Sequence, residues 1–345
     1  MKSIFITVTI LLFTTFTASF GQKKETKETD IFPGKEWLDN NGKHINAHSG
    51  GILFFNGVYY WHGEYKIEGR AEKDTADGGI SCYTSTDLIN WNDAGVVLSV
   101  DYDNPKSDIA YGCILERPKV VFNEKTRKFI AYFKLFPRGE GYTTAYVGVA
   151  TANSPLGPFT YSHKFLACGS VNGSGDFAMF KDEDGSLYHL TVQKPHRDFY
   201  IAKMSSDYLL PVTDYKVLKD IQVSTEAPVI IKRNGTYHLI GSASAGWAPT
   251  VPRYYTSKSL QGPWTVQANP LQGTNPIEGM GAEKTFGGQS TFIFPVQGLK
   301  DAYIIMFDIW KPDQASEGGY IWLPLIFNHD KLSIKWMDKW NMGFF

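Results

Sequence analysis

Five polar residues stand at the same phase relative to five apolar hairpins along this chain, and that shared phase is what could do chemistry. Glu226 leads into Val229-Ile230-Ile231-Lys232, an Arg233-Asn234-Gly235 turn and the return run Tyr237-His238-Leu239-Ile240. Asn-Gly between two apolar runs marks a tight β-hairpin. His48 stands before Gly51 in the same way, Glu116 before Arg117, Asp176 before Phe177 and Gln289 before Ser290. Hairpins that repeat one polar position imply similar units aiming those groups at one place. Glu226 is the residue on which that chemistry is centred.

The elements that must position these groups follow from the punctuation of the chain. Helical periodicity is almost absent, and short β-branched and aromatic runs alternate with Gly, Asn, Asp and Pro. They fall into five pairs of hairpins, which begin near Ile52, Lys119, Ala178, Val229 and Thr291. Turn strings recur as well, as in Ser154-Pro155-Leu156-Gly157-Pro158-Phe159 and Ser257-Lys258-Ser259-Leu260-Gln261-Gly262-Pro263-Trp264. Four strands in a unit of about 50 to 65 residues, repeated around an axis, predict an all-β, five-bladed β-propeller with four antiparallel strands per blade. Innermost strands of such blades run along the axis, so residues at their starts ring one end of it. A two-sheet sandwich would use hairpins too, but gives no reason for the shared phase.

The chain begins with Met1-Lys2, an apolar run from Ile4 to Phe16 and small residues Ala18, Ser19 and Gly21. That pattern predicts a signal peptide over 1–21 and export to the periplasm or beyond; the run is too short to span a bilayer. A charged linker is expected over 22–33 and the propeller over 34–345. Net charge is −1 with no basic block, which excludes nucleic acid and anionic membrane as obvious partners. Aromatic residues make up 15% of the chain, a composition suited to the apolar C–H faces of sugars. Cys82, Cys113 and Cys168 are too few for a disulfide-dependent fold and read as buried small apolar residues. No Cys/His spacing predicts a zinc site.

Ordered motifs then resemble one family. Ile45-Asn46-Ala47-His48-Ser49-Gly50-Gly51-Ile52-Leu53 and Tyr60-Trp61-His62-Gly63-Glu64 are similar to the first blade of glycoside hydrolase family 43. Glu116-Arg117-Pro118, Ser174-Gly175-Asp176, Thr225-Glu226-Ala227-Pro228, Ser244-Ala245-Gly246-Trp247 and Gln289-Ser290-Thr291 continue the resemblance in order. It covers residues 34 to 340 and is nearest to the exo-β-1,3-galactanase branch. It implies a five-bladed propeller that hydrolyses glycosidic bonds with inversion, which needs a protonated carboxylic acid on one side of the bond and a base activating water on the other.

Residue by residue, Glu226 matches the family's general acid and Asp176 the group that raises the acid's pKa and orients it. The family's usual first-blade Asp base is missing from Asn46-Ala47-His48-Ser49-Gly50. The galactanase branch shares that absence and implies Gln289 at the attacking water. An amide works there only as an imidic-acid tautomer or through a relay from a carboxylate; Glu116 is the rival base, or a substrate-binding residue. Glu64 and Arg117 match groups that hold sugar hydroxyls, or else form a rim salt bridge. Ser244, Trp247 and Trp310 are candidate substrate contacts, the two Trp as stacking platforms. His48 is a candidate for substrate or metal at the axis, or a structural His. Gly175 stands where the branch usually has Arg, which leaves the sugar open.

The expected protein is an exported monomer acting on oligo- or polysaccharide of plant type, releasing terminal β-1,3-linked galactose. No cofactor is required, and a structural calcium on the axis is compatible with the fold. The same family also covers α-L-arabinofuranosidases, β-galactofuranosidases and β-xylosidases. A sugar-binding propeller without catalysis is the alternative from another class.

Overall fold

Runs of apolar residues with alternating burial, closed by tight turns, build antiparallel sheets in chain order. The computed structural model describes residues 28–345; the expected signal segment and the first half of the linker lie outside the described residues. The first sheet holds His48–Phe55, Val58–Lys66, Asp77–Ser85 and Asn92–Ser99, and the second Ile114–Asn123, Lys128–Phe136, Tyr146–Ala152 and Thr160–Phe165. Ser174–Lys181, Leu187–Gln193, Phe199–Lys203 and Lys216–Val217 form the third, and Thr225–Arg233, Thr236–Ala243, Pro252–Ser257 and Thr265–Gln267 the fourth. The fifth has three strands, Gln289–Pro295, Tyr303–Ile309 and Gly319–Pro324.

First strands of these five sheets pack side by side in a closed ring, each against the next and the fifth against the first. The result is a β-propeller, but its sheets depart from the expected plan. Six sheets of three or more strands are present among the described residues, where the repeat predicted five. The reason is local to the last unit. Pro324 cannot donate to a ladder, and the apolar run over 320–327 breaks there. The following hairpin, Ile326–Asn328 with Lys331–Lys335, leaves the fifth sheet and takes Leu271–Gln272 as a parallel neighbour. That sixth sheet contributes no strand to the axial ring.

Each seam between neighbouring axial sheets holds its own apolar cluster. The one between the fifth and first sheets is the most aromatic: Trp61, Trp91, Trp322 and Tyr320 are buried, and Trp37 packs on Trp61 and Trp322. Burying each such ring contributes about 1.5–3 kcal/mol, so the seam that joins the chain's two ends is heavily stabilised. Ile31 and Trp340 add a bridge there, with N–H to O distances of 2.7 and 3.0 Å in the two directions. Ile31 and Pro33 are therefore buried parts of the propeller, and the linker ends before residue 31 rather than at 33. All three cysteines are free and buried. No helix among the described residues is long and apolar enough to cross a membrane.

Candidate active site

The polar residues that the sequence places just ahead of the apolar runs lie inside the inner strands, at a bulge in each. Pairing register slips between His48 and Gly51, Glu116 and Lys119, Glu226 and Val229, and Ser290 and Phe292. In the third sheet Ser174 faces Gln193 while Phe177 faces Thr191, so Gly175 and Asp176 are the looped-out pair. A bulge adds a residue and re-aims the side chain beside it. Three of these bulges hold a non-glycine residue in the left-handed region: Ser49 at φ 54°, Arg117 at 56° and Ala227 at 51°. Such backbone costs about 1–3 kcal/mol each. Close approach is built in as well, because a methyl added to Gly63 would lie 2.1 Å from the Ala47 carbonyl carbon.

The bulges open into a cavity of about 450 Å³ at one end of the axis. Glu64, Glu116, Arg117, Asp176, Glu226 and Gln289 all line it, together with Ser244, Trp247 and Trp310. The fold thus brings together nine of the ten residues singled out in the sequence. His48 is the exception. It is 1% exposed and lies behind the lining, with Nε2 3.3 Å from the Ser316 carbonyl and Nδ1 3.2 Å from the Tyr320 hydroxyl; its neighbour Ser49 reaches the wall instead. Burial, with the charges of Lys66 and His44, lowers the His48 pKa to about 3 and keeps the ring neutral. The expectation that His48 touches substrate is corrected on that ground.

Arg117 is the hub of the deep end rather than a rim residue. Its Nε lies 2.9 Å from Asp176 Oδ2, Nη1 donates to the Ser290 carbonyl at 3.2 Å, and Nη2 donates to Gln289 Oε1 at 2.6 Å. Its backbone N–H donates to Glu64 Oε1 at 2.7 Å. Gln289 is fixed on three sides, since Trp310 Nε1 also donates to Oε1 at 3.1 Å and Nε2 donates to Ser242 Oγ at 3.0 Å. Lys134 Nζ bridges Asp176 Oδ1 at 2.9 Å and Glu116 Oε2 at 2.5 Å. Burial alone would raise the Asp176 pKa, but Arg117 and Lys134 beside it hold the carboxyl well below its usual range. Asp176 Oδ2 also accepts from the Ala227 N–H at 3.1 Å, which pins the peptide following Glu226. Glu226 itself pairs with Arg197.

Several of these partners escaped the sequence reading. Lys134 and Asp308 are lone charges inside the apolar strands Lys128–Phe136 and Tyr303–Ile309, and a buried charge must be paired; that was the available signal. Asp308 accepts from the Ser49 N–H at 2.5 Å, and burial pushes its carboxyl up to about 7. Lys66 is buried against Glu64, Glu72 and Asp77 at 2.9, 3.0 and 2.7 Å, which brings Glu72 to the cavity wall. Lys119 Nζ sits among the carbonyls of Ser49, Pro118 and Arg117 at 2.8 to 3.4 Å. Tyr142, Lys194 and Arg197 come from connecting loops and carried no signal. Among the described residues, no group of three or more His, Cys, Asp or Glu side chains is placed to share a metal ion.

An axial propeller pocket with carboxylates at its deep end and Trp side chains beside them is the site of a glycosidase. A profile of glycosyl hydrolases family 43 matches residues 52–293, and the chain belongs to that family. It is a glycoside hydrolase, with a saccharide as substrate. Among solved structures it is similar to a GH43 β-1,3-galactosidase in complex with galactodeoxynojirimycin, at 35% identity and TM-score 0.82, over 90% of this chain and 100% of that one. It is also similar to exo-β-1,3-galactanases from Phanerochaete chrysosporium (32% identity, TM-score 0.79, 91% and 68% covered) and Clostridium thermocellum (33%, 0.78, 90% and 66%). No curated protein sequence matches the chain.

Proposed function

We propose that this protein is an exo-acting, inverting glycosidase that releases terminal β-1,3-linked galactose from polysaccharide. The observation that carries the reading is the axial pocket in which Glu226 and Gln289 line one space, with Asp176 bonded to the peptide after Glu226. The galactose-specific relatives support the sugar. In this reading Glu226 protonates the leaving oxygen, and Asp176 orients it while remaining ionised. Gln289 stands at the attacking water. Arg117 does not carry a relay from Asp176, because guanidinium does not give up a proton in proteins; in this reading the amide acts as the imidic-acid tautomer. The nitrogen takes the proton from water while the oxygen releases its own to solvent, which leaves the amide whose Oε1 accepts from Arg117 and Trp310. Glu116, tied to Lys134 and 3.3 Å from the Tyr142 hydroxyl, binds sugar hydroxyls. The first 21 residues support export, which secretion of the full-length chain and loss of that segment from the mature protein would test.

A pocket built at one end of the axis accepts a chain end rather than its middle. A reducing-end-labelled β-1,3-galactooligosaccharide is therefore expected to yield galactose from the first time point, with the α-anomer formed first by NMR. Early mixed oligomers would reject exo action, and no hydrolysis of this substrate alongside turnover of a β-xyloside or an α-L-arabinofuranoside would reject the sugar.

Asp176→Asn tests the orienting role. The stabilisation from its depressed carboxyl is in place above the unfolded value near pH 4 and drains away only as pH falls toward the folded value. Removing the charge leaves buried Arg117 uncompensated and Lys134 with Glu116 alone, at an expected cost of about 3–5 kcal/mol at pH 7 by urea denaturation. Activity of the folded fraction should show a basic limb moved to lower pH, because an anion has been lost and two cations remain. A basic limb that stays in place would remove Asp176 from this role.

A further inference from the structure

Charge matching within the cavity is complete at the deep end and incomplete at the mouth. Asp176 and Glu116 share Lys134, Asp176 also holds Arg117, and Glu64 and Glu72 share Lys66. Two cations remain, both on the turn between the second and third strands of the third blade. Lys194 lines the cavity with no carboxylate partner among the described residues; its Nζ donates to the Tyr142 carbonyl at 2.6 Å and lies 4.9 Å from the centre of the Phe136 ring. Among the described residues, Arg197 has Glu226 as its only anion.

The turn is held rigidly in this pose. Gln193 N–H donates to the Asp198 carbonyl at 2.8 Å, Lys194 N–H to the Gly173 carbonyl at 3.0 Å, and Ser224 N–H to the Arg197 carbonyl at 2.8 Å. Arg197 takes a left-handed backbone at φ 70°, which a non-glycine residue adopts only under constraint. Burial, with repulsion from Lys134 and Arg197, lowers the Lys194 pKa to about 8. Both cations line the cavity, and Arg197 is bonded to Glu226, the residue assigned to the leaving oxygen.

The chemistry makes this arrangement informative. Glu226 can donate a proton only while it carries one, and in that state it is neutral. Arg197 and Lys194 then stand together without a counterion. We propose that Lys194 and Arg197 form an anion subsite for the leaving-group side of the substrate, so that the substrate class is an acidic galactan bearing a uronate or a sulfate ester beside the terminal galactose. The anion takes the guanidinium from Glu226 and leaves the carboxyl free to act. This rests on the assignment of Glu226 as the acid.

Three β-1,3-galactotriosides test it: one neutral, one with a uronic acid on the penultimate sugar, one with a sulfate ester there. Wild type should show kcat/KM at least about tenfold higher for an anionic substrate than for the neutral one, a preference that weakens in high salt. The ratio should fall to about one in Lys194→Gln/Arg197→Gln and below one in Arg197→Glu. Preference for one anion over the other identifies the group and upholds the subsite. Equal rates on all three in wild type, or a ratio unchanged in the variants, overturns it. Calorimetry with the Glu226→Gln protein reads the same preference without turnover. Anion-selective binding there, with no hydrolysis by wild type, would keep the subsite and reject the glycosidase reading instead; no anion selectivity in binding would reject the subsite.

Discussion

Glu226→Gln should abolish turnover of unactivated β-1,3-galactosides, by about 10²–10⁴-fold in kcat, while sugar affinity stays within about tenfold. The amide keeps the shape and the hydrogen-bonding reach of the carboxyl but has no proton to give. Ground-state binding rests on residues that the change leaves in place: Glu64, Arg117 and Asp176 are tied to one another, and Trp310 to Gln289, without help from Glu226. Aryl galactosides, whose leaving group departs without protonation, should be partly spared. Comparing the two substrate types in steady state, with binding measured separately, checks the prediction. Wild-type rates on both would show that the acid lies elsewhere.

Gln289→Ala should cost about a hundredfold or more in kcat, the usual scale for groups that move protons. Part of that loss is structural, since the change strips an acceptor from Arg117 Nη2 and Trp310 Nε1 and a donor from Ser242 Oγ. Gln289→Glu separates the parts, because a carboxylate restores the acceptor and is itself a base; measurable activity should return. Glu116→Gln should mainly raise KM, as the loss of binding shared by ground and transition states does. Lys134 keeps Asp176 in that variant, so the network survives. Were Glu116 the base, kcat would fall instead and azide would rescue Glu116→Ala. Azide rescue at Glu116 with none at Gln289 would overturn the assignment.

Much of the site was legible because bulges and hairpins are local. Glu226-Ala227-Pro228 and Gln289-Ser290 announce themselves by their phase before an apolar run, and the fold places both on one cavity. What the phase did not convey is direction. His48 occupies the same position as Glu226 in its own blade, yet its ring is sealed behind the wall against Tyr320. A bulge sets which way a side chain leaves the strand, and that depends on the neighbouring blade.

The amino-acid sequence by itself determined the all-β propeller, the hairpins and the polar residue each inner strand would carry, because alternation and turn chemistry act over a few residues. Tertiary structure alone decided how the charges are shared. Lys134 meets Asp176 across 42 residues, and Arg117 meets Gln289 across 172. It also decided the fate of the last unit, where Pro324 ends a strand and the following hairpin finds its partner at Leu271–Gln272. A buried cation takes whichever anion the closed ring brings within about 3 Å, and the energy of that choice is set by desolvation and distance. Neither quantity exists until the blades have closed.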